Sequence, residues 1–259
     1  MELRHTRLEV EDRIAVLVID SPPVNALGSE LKQELSYHID ALKDREDVWT
    51  LILTASGNKI FLAGADIPAL LDLDYRGGLE RVKGTKELFS KFANFPKPIV
   101  VAINGTCLGA GLELSLCCDI RIAAEHATLG LPEVNLGIMP GAGGTQRLPR
   151  IINPGIARYL IYTGSVISAK EAVSFGIILK AVPYESLLDE AKKIAKDINR
   201  RGPLAVRAAK RAISQGLDLP IDEALDLENR IWAELCETQD KREGISAFLE
   251  KRRPRFQAR

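Results

Sequence analysis

The sequence predicts an α/β core followed by a helical region, and three observations carry that expectation. Compact apolar runs alternate with helix-spaced segments over the first two-thirds of the chain. Beyond about residue 150 the spacing is almost entirely helical. No stretch rich in proline or serine separates the two parts, so they read as one domain with a helical appendage.

Ile14 to Ile19 is an unbroken apolar run of strand length, and Pro22 and Pro23 end it. From Ser29 onward, Leu31, Leu35, Ile39 and Leu42 recur three and four positions apart with polar residues between them, which lays one face of a helix on the core. Trp49 to Thr54 reads as a second strand. Glu80 to Phe92 reads as a second helix, broken by Pro96 and Pro98, and the mostly β-branched Ile99 to Ile103 as a third strand. A helix starts near Gly109, and Asp119 to Ala123 is a further short strand. Gly130 to Gly144 holds too much glycine and proline for a long regular element, so a site there would be built from backbone. Helical spacing then marks Ser168 to Phe175, Leu187 to Asn199, Leu204 to Ser214, Ile221 to Glu237 and Lys241 to Arg252, with one strand at Leu179 to Val182.

With 46% hydrophobic and 27% charged residues, the 259-residue chain has the balance of a folded globular protein, which excludes disorder as its main state. Thirty-five basic and thirty-five acidic side chains cancel, so no global field draws it to nucleic acid or a membrane surface. A polyanion would need a local patch. Lys251, Arg252, Arg253, Arg255 and Arg259 supply one at the C-terminal end, although taken alone they read first as a solvated tail. No apolar run approaches the roughly 20 residues that span a bilayer. Met1 to Asp12 alternates charge with apolar residues, so no secretory signal is expected and the cytoplasm is the expected compartment. Cys107, Cys117, Cys118 and Cys236 show no CxxC spacing and suit reduced core thiols better than disulfides or zinc. His5, His38 and His126 are scattered and belong to no nucleophile motif, so neither a metal site nor a histidine-driven mechanism is expected.

The segment Leu108 to Cys118, LGAGLELSLCC, holds one charge, Glu113. On a helix, Gly109, Ala110, Leu116 and Cys117 share its face, so the carboxylate points into apolar surroundings that would raise its pKa toward the range useful for proton transfer. It could instead curl back to solvent or pair with an arginine. The small residues before it leave backbone N–H groups uncovered at a helix N-terminus, a candidate oxyanion hole. Leu62 to Ile67, LAGADI, offers a second stretch of exposed backbone, or else an ordinary tight turn. Neither LGAGLE nor PGAGGTQ fits GxGxxG and no GxxxxGK[ST] occurs, which excludes dinucleotide and P-loop readings. Glu133, after Pro132, is either a favourable first-turn charge or the second carboxylate of an acid–base pair around one water.

PPVNAL (Pro22 to Leu27), AGADI (Ala63 to Ile67), INGTCLGAGLELSLCCDIRIA (Ile103 to Ala123), LGLPEVNLGIMPGAGGTQRL (Leu129 to Leu148), TGSVISAKEA (Thr163 to Ala172) and EGISAFLEKRRPRF (Glu243 to Phe256) occur in that order. By these motifs the chain resembles the crotonase superfamily, and within it the enoyl-CoA hydratases, along nearly its whole length. The resemblance implies a crotonase-like spiral of ββα units over 1–195. It also implies a C-terminal helical region over 196–259 that covers the acyl-CoA pocket and forms a homotrimer or a dimer of trimers. Ala65 and Ala110 would be the oxyanion-hole residues, acting through their amides, although many relatives carry glycine where this chain has Ala110. Glu113 and Glu133 match the two catalytic glutamates, and Gly141 a glycine whose amide helps place the water. Ala63 and the turn Asn25, Ala26, Leu27 would touch the CoA nucleotide, and Phe248 and Lys251 would reach the CoA of a neighbouring subunit. Asp66 and Ile67 belong to the same ligand-facing loop and begin a lid that runs to Gly78 over the acyl group. The implied reaction is reversible syn addition of water to a 2-enoyl-CoA, with no metal or cofactor beyond the CoA of the substrate itself. Isomerisation, dienoyl-CoA hydration and dehydration in another pathway are rivals on the same fold. A non-catalytic RNA-binding relative is a further rival, disfavoured by the zero net charge and by the intact Glu113 and Glu133.

Overall fold

The computed structural model describes residues 3–64 and 66–259. Strand β1 (Thr6–Glu11) folds back antiparallel on β2 (Ile14–Ile19), and helix α1 (Ser29–Lys43) follows. A unit of two strands and a helix then recurs. Its first turn is β3 (Thr50–Ala55), β4 (Ile60–Leu62) and α2 (Tyr75–Ala93). The second is β5 (Ile99–Ile103), β6 (Thr106–Leu108) and α3 (Ala110–Ser115). The third is β7 (Ile120–Ala124), β8 (Thr128–Gly130) and, after a 3-10 turn over Pro132–Leu136, α4 (Gly144–Ile151). Then come α5 (Pro154–Thr163), β9 (Val166–Ser168), α6 (Ala169–Ser174), β10 (Lys180–Val182) and α7 (Tyr184–Asn199).

The first strand of each unit joins one sheet and the second strand another, so the chain winds as the ββα spiral that the motifs imply. The larger sheet runs β1-β2-β3-β5-β7-β10 and the smaller β4-β6-β8-β9. Within them β3, β5 and β7 are parallel neighbours, as are β4, β6 and β8. All residues of β3 and β5 are buried, the pattern of strands covered on both faces. Leu187, Ala191 and Ala195, four apart on α7, lie against that sheet. Successive turns of the spiral stack closely at their corners. A Cβ on Gly105 would fall 2.3 Å from the backbone of Lys59, so only glycine fits there. Beside it Asn104 Nδ2 donates to Gly57 O at 2.8 Å.

Helix α2 begins at Tyr75, earlier than Glu80, because Asp74 caps it by accepting from Gly77 N at 2.8 Å. The junction expected between 195 and 196 falls inside α7, whose Ile194 and Ile198 still pack on the core. The chain leaves that helix at Asn199 and continues as α8 (Pro203–Gly216), α9 (Ile221–Leu235) and α10 (Gln239–Leu249). Lys210 ties α8 to the spiral, donating to Lys97 O at 2.9 Å and to Asp119 Oδ2 at 2.7 Å. Cys107, Cys117 and Cys118 are buried free thiols in the core. Among the described residues no helix is long and apolar enough to cross a membrane, and no group of three or more His, Cys, Asp or Glu could hold a metal ion.

Candidate active site

Each turn of the spiral delivers one segment to the same place, from the end of a strand in the smaller sheet. Ala63 and Gly64 follow β4, Gly109 and Ala110 follow β6, and Pro132 and Glu133 follow β8 after Leu131. These segments line a cavity of about 410 Å³ together with Leu27, Ile67, Val82, Glu113, Met139 and Gly141. Glycine permits the convergence. Gly109 sits at φ 53°, and a Cβ there would approach Glu133 Oε1 at 3.0 Å and Gly64 Cα at 3.6 Å. Gly111 packs α3 on β4 so closely that a Cβ would fall 2.2 Å from Leu62 O.

Helix α3 is buried along its whole length, and Glu113 within it is only 3% exposed. The carboxylate neither turns to solvent nor pairs with an arginine. Its Oε1 instead accepts from Ala142 N and Gly144 N, both at 2.8 Å. Burial pushes its pKa up, against the pull of those two amides and of the nearby Arg147. Glu133 has no such clasp. Its Oε2 is buried with no hydrogen-bond partner among the described residues, and burial, then the charge of Glu113, raise its pKa to about 7 against the pull of its own backbone amide. One cavity therefore holds a carboxylate fixed by backbone donors and a second carboxyl that binds a proton near neutrality.

Ala110 opens α3, where an amide has no intrahelical acceptor behind it, and it lines the cavity at 8% exposure. Ala65 lies outside the described residues. Leu27 N donates to Gly64 O at 2.9 Å and Ala63 N to Val24 O at 3.3 Å, which joins the Asn25–Ala26–Leu27 turn to the loop after β4. Leu27, Ala63 and Ile67 line the cavity. The Asn25 side chain is occupied with the turn itself: its Oδ1 accepts from Ser21 N at 2.8 Å, and its Nδ2 donates to Phe61 O at 3.1 Å. The carbonyl of Asp66 accepts from Arg81 Nη2 at 3.2 Å. Leu70 and Leu73, in the segment expected to be the lid, face the cavity, while Leu71 beside them is 85% exposed. Phe248 and Lys251, at the end of α10, do not line it and are exposed.

Sequence reasoning missed four contributors. Ala142 and Gly144 hold Glu113 from 29 and 31 residues away, and only their place in a glycine-rich run hinted at them. Lys32 and Arg81 add two cations to the cavity wall, and nothing in their local pattern separates them from ordinary surface residues. Lys32 has its pKa lowered by burial and then by the charge of Arg81.

The profile of the enoyl-CoA hydratase/isomerase family matches residues 9–259. The chain is 45% identical to a crotonyl-CoA hydratase of Syntrophomonas wolfei, over 96% of each protein. It is 40% identical to a short-chain-enoyl-CoA hydratase of Clostridium acetobutylicum, over 98% of this chain and 97% of that one. A crystal structure of an enoyl-CoA hydratase from Bacillus anthracis superposes with a TM-score of 0.95 at 38% identity, covering 99% of this chain and 100% of the other.

Proposed function

Because the chain belongs to the enoyl-CoA hydratase/isomerase family, we propose that it adds water reversibly across the C2=C3 bond of a 2-enoyl-CoA to give a 3-hydroxyacyl-CoA. The observation that carries this reading is the pair of carboxyls across one apolar cavity, Glu113 clasped by two amides and Glu133 unclasped. Hydration needs a base for water and an acid for C2 at the same time, and the two environments separate those roles.

In the forward direction Glu113 takes a proton from water as its oxygen bonds to C3. Glu133, protonated up to about pH 7, delivers its proton to C2, and exchange with solvent restores both groups. Negative charge grows on the thioester oxygen as the C3–O bond forms. The amides of Ala110 and Ala65 would receive it, and each such donor typically supplies about 3 kcal/mol of selective stabilisation. For Ala65 that role rests on the AGADI motif. Gly141 would help place the water. The atoms balance with water and the two carboxyls, and CoA enters only as part of the substrate.

The turn Asn25 to Leu27 together with Ala63 would meet the CoA nucleotide. The exposed Phe248 and Lys251 would reach the CoA of a neighbouring subunit in a trimer or a dimer of trimers. Three buried free thiols fit a reducing compartment such as the cytoplasm. Loss of the enoyl-thioester absorbance on adding enzyme to crotonyl-CoA, with 3-hydroxybutyryl-CoA as product, is the expected result. An unchanged spectrum at high enzyme concentration would refute the reading.

A further inference from the structure

The reaction cavity has a neighbour. Val82, Gly141 and Ala142 line both it and a second cavity of about 680 Å³ between α2 and α4. A Cβ on Gly141 would lie 3.1 Å from Val82 Cγ1, so these two residues, which line both spaces, meet closely between them. The second cavity lies on the Glu113 side of the first, since the shared Ala142 donates through its N–H to Glu113, whereas Leu27 and Ala63 line only the first cavity. An acyl chain that extends past the reacting carbons, away from the nucleotide, extends toward Val82.

The second cavity differs from the first in charge. Lys83, Lys86, Arg147 and Arg150 line it with Asp218 as the one acid. Arg150 takes up that acid at 3.8 Å, and Arg147 Nη1 donates to Ala142 O at 3.1 Å. Lys83 and Lys86, one turn apart on α2, form no ion pair among the described residues. Leu79 and Val82 line this cavity too, so a hydrocarbon tail would find apolar contact there, but only an anionic tail gains a charge-assisted contact with the lysines.

We propose that the acyl site continues past the Val82–Gly141 constriction into this basic vestibule and accepts a 2-enoyl-CoA whose far end is a carboxylate, held by Lys83 and Lys86. The inference rests on the hydratase reading and names a substrate class for it.

The test compares trans-2-hexenoyl-CoA with the same chain ending in a carboxylate, and uses crotonyl-CoA as a reference, in the wild-type chain and in Lys83→Met/Lys86→Met. The wild-type kcat/KM for the carboxylate ester is expected to equal or exceed that for the methyl ester. In the double variant that ratio should fall about tenfold, mainly through KM. Added salt should lower the wild-type ratio and leave the variant's nearly constant, because screening acts on the ion pair alone. A wild-type ratio well below one, or a ratio that the double variant does not change, overturns the inference. In that case hydration of crotonyl-CoA leaves the hydratase reading standing, whereas inactivity on every ester overturns both.

Discussion

At Glu133 one buried oxygen with no partner among the described residues links stability to chemistry. Burial disfavours the charged form, so the folded chain keeps a proton up to about pH 7 that an unfolded carboxyl gives up near 4.5. The folded state binds the extra proton across that window, so stability falls as pH rises through it. Glu133→Gln cannot ionise. Its unfolding midpoint should therefore decline less than the wild type's between about pH 5 and pH 8, the window in which the folded state holds the extra proton. Parallel midpoint curves for the two proteins would show that Glu133 is not held in its neutral form. The apolar, glycine-rich surroundings of Glu113 and Glu133 were legible in the chain, and so was the upward pull of such surroundings on the pKa of Glu113. The amides that clasp Glu113 were not, because contacts between segments 29 and 31 residues apart leave no local pattern.

Most of the long elements could be read from their spacing, β1 and α5 excepted. The compact apolar runs became β2, β3 and β5, and the helix expected from Ser29 is α1. Strands β4, β6, β8 and β9 escaped because each has three residues, too few for any alternation to show. The smaller sheet carries the site segments, so the repeat came from the motif resemblance and not from periodicity. The C-terminal helices leave Ile213, Leu217, Ile221, Trp232, Phe248 and Leu249 at 63% to 82% exposure, large apolar side chains that a partner subunit would cover. If α8 to α10 are the trimer contacts, sedimentation equilibrium at micromolar concentration should return three or six times the 28.4 kDa chain mass. A monomer mass would contradict that role.

Across the whole molecule, successive turns of one spiral place their loops at the ends of parallel strands, and the two carboxyls arrive from different turns. In the proposed mechanism neither acts alone, since the base on α3 and the acid after β8 would serve one water and one double bond. The most direct test measures hydration turnover in Glu113→Gln and in Glu133→Gln, with affinity for a saturated acyl-CoA measured alongside by calorimetry. Each variant should lose at least about a hundredfold in kcat, the scale of general acid–base catalysis, while acyl-CoA affinity changes little. Turnover near the wild-type rate in either variant would contradict the account.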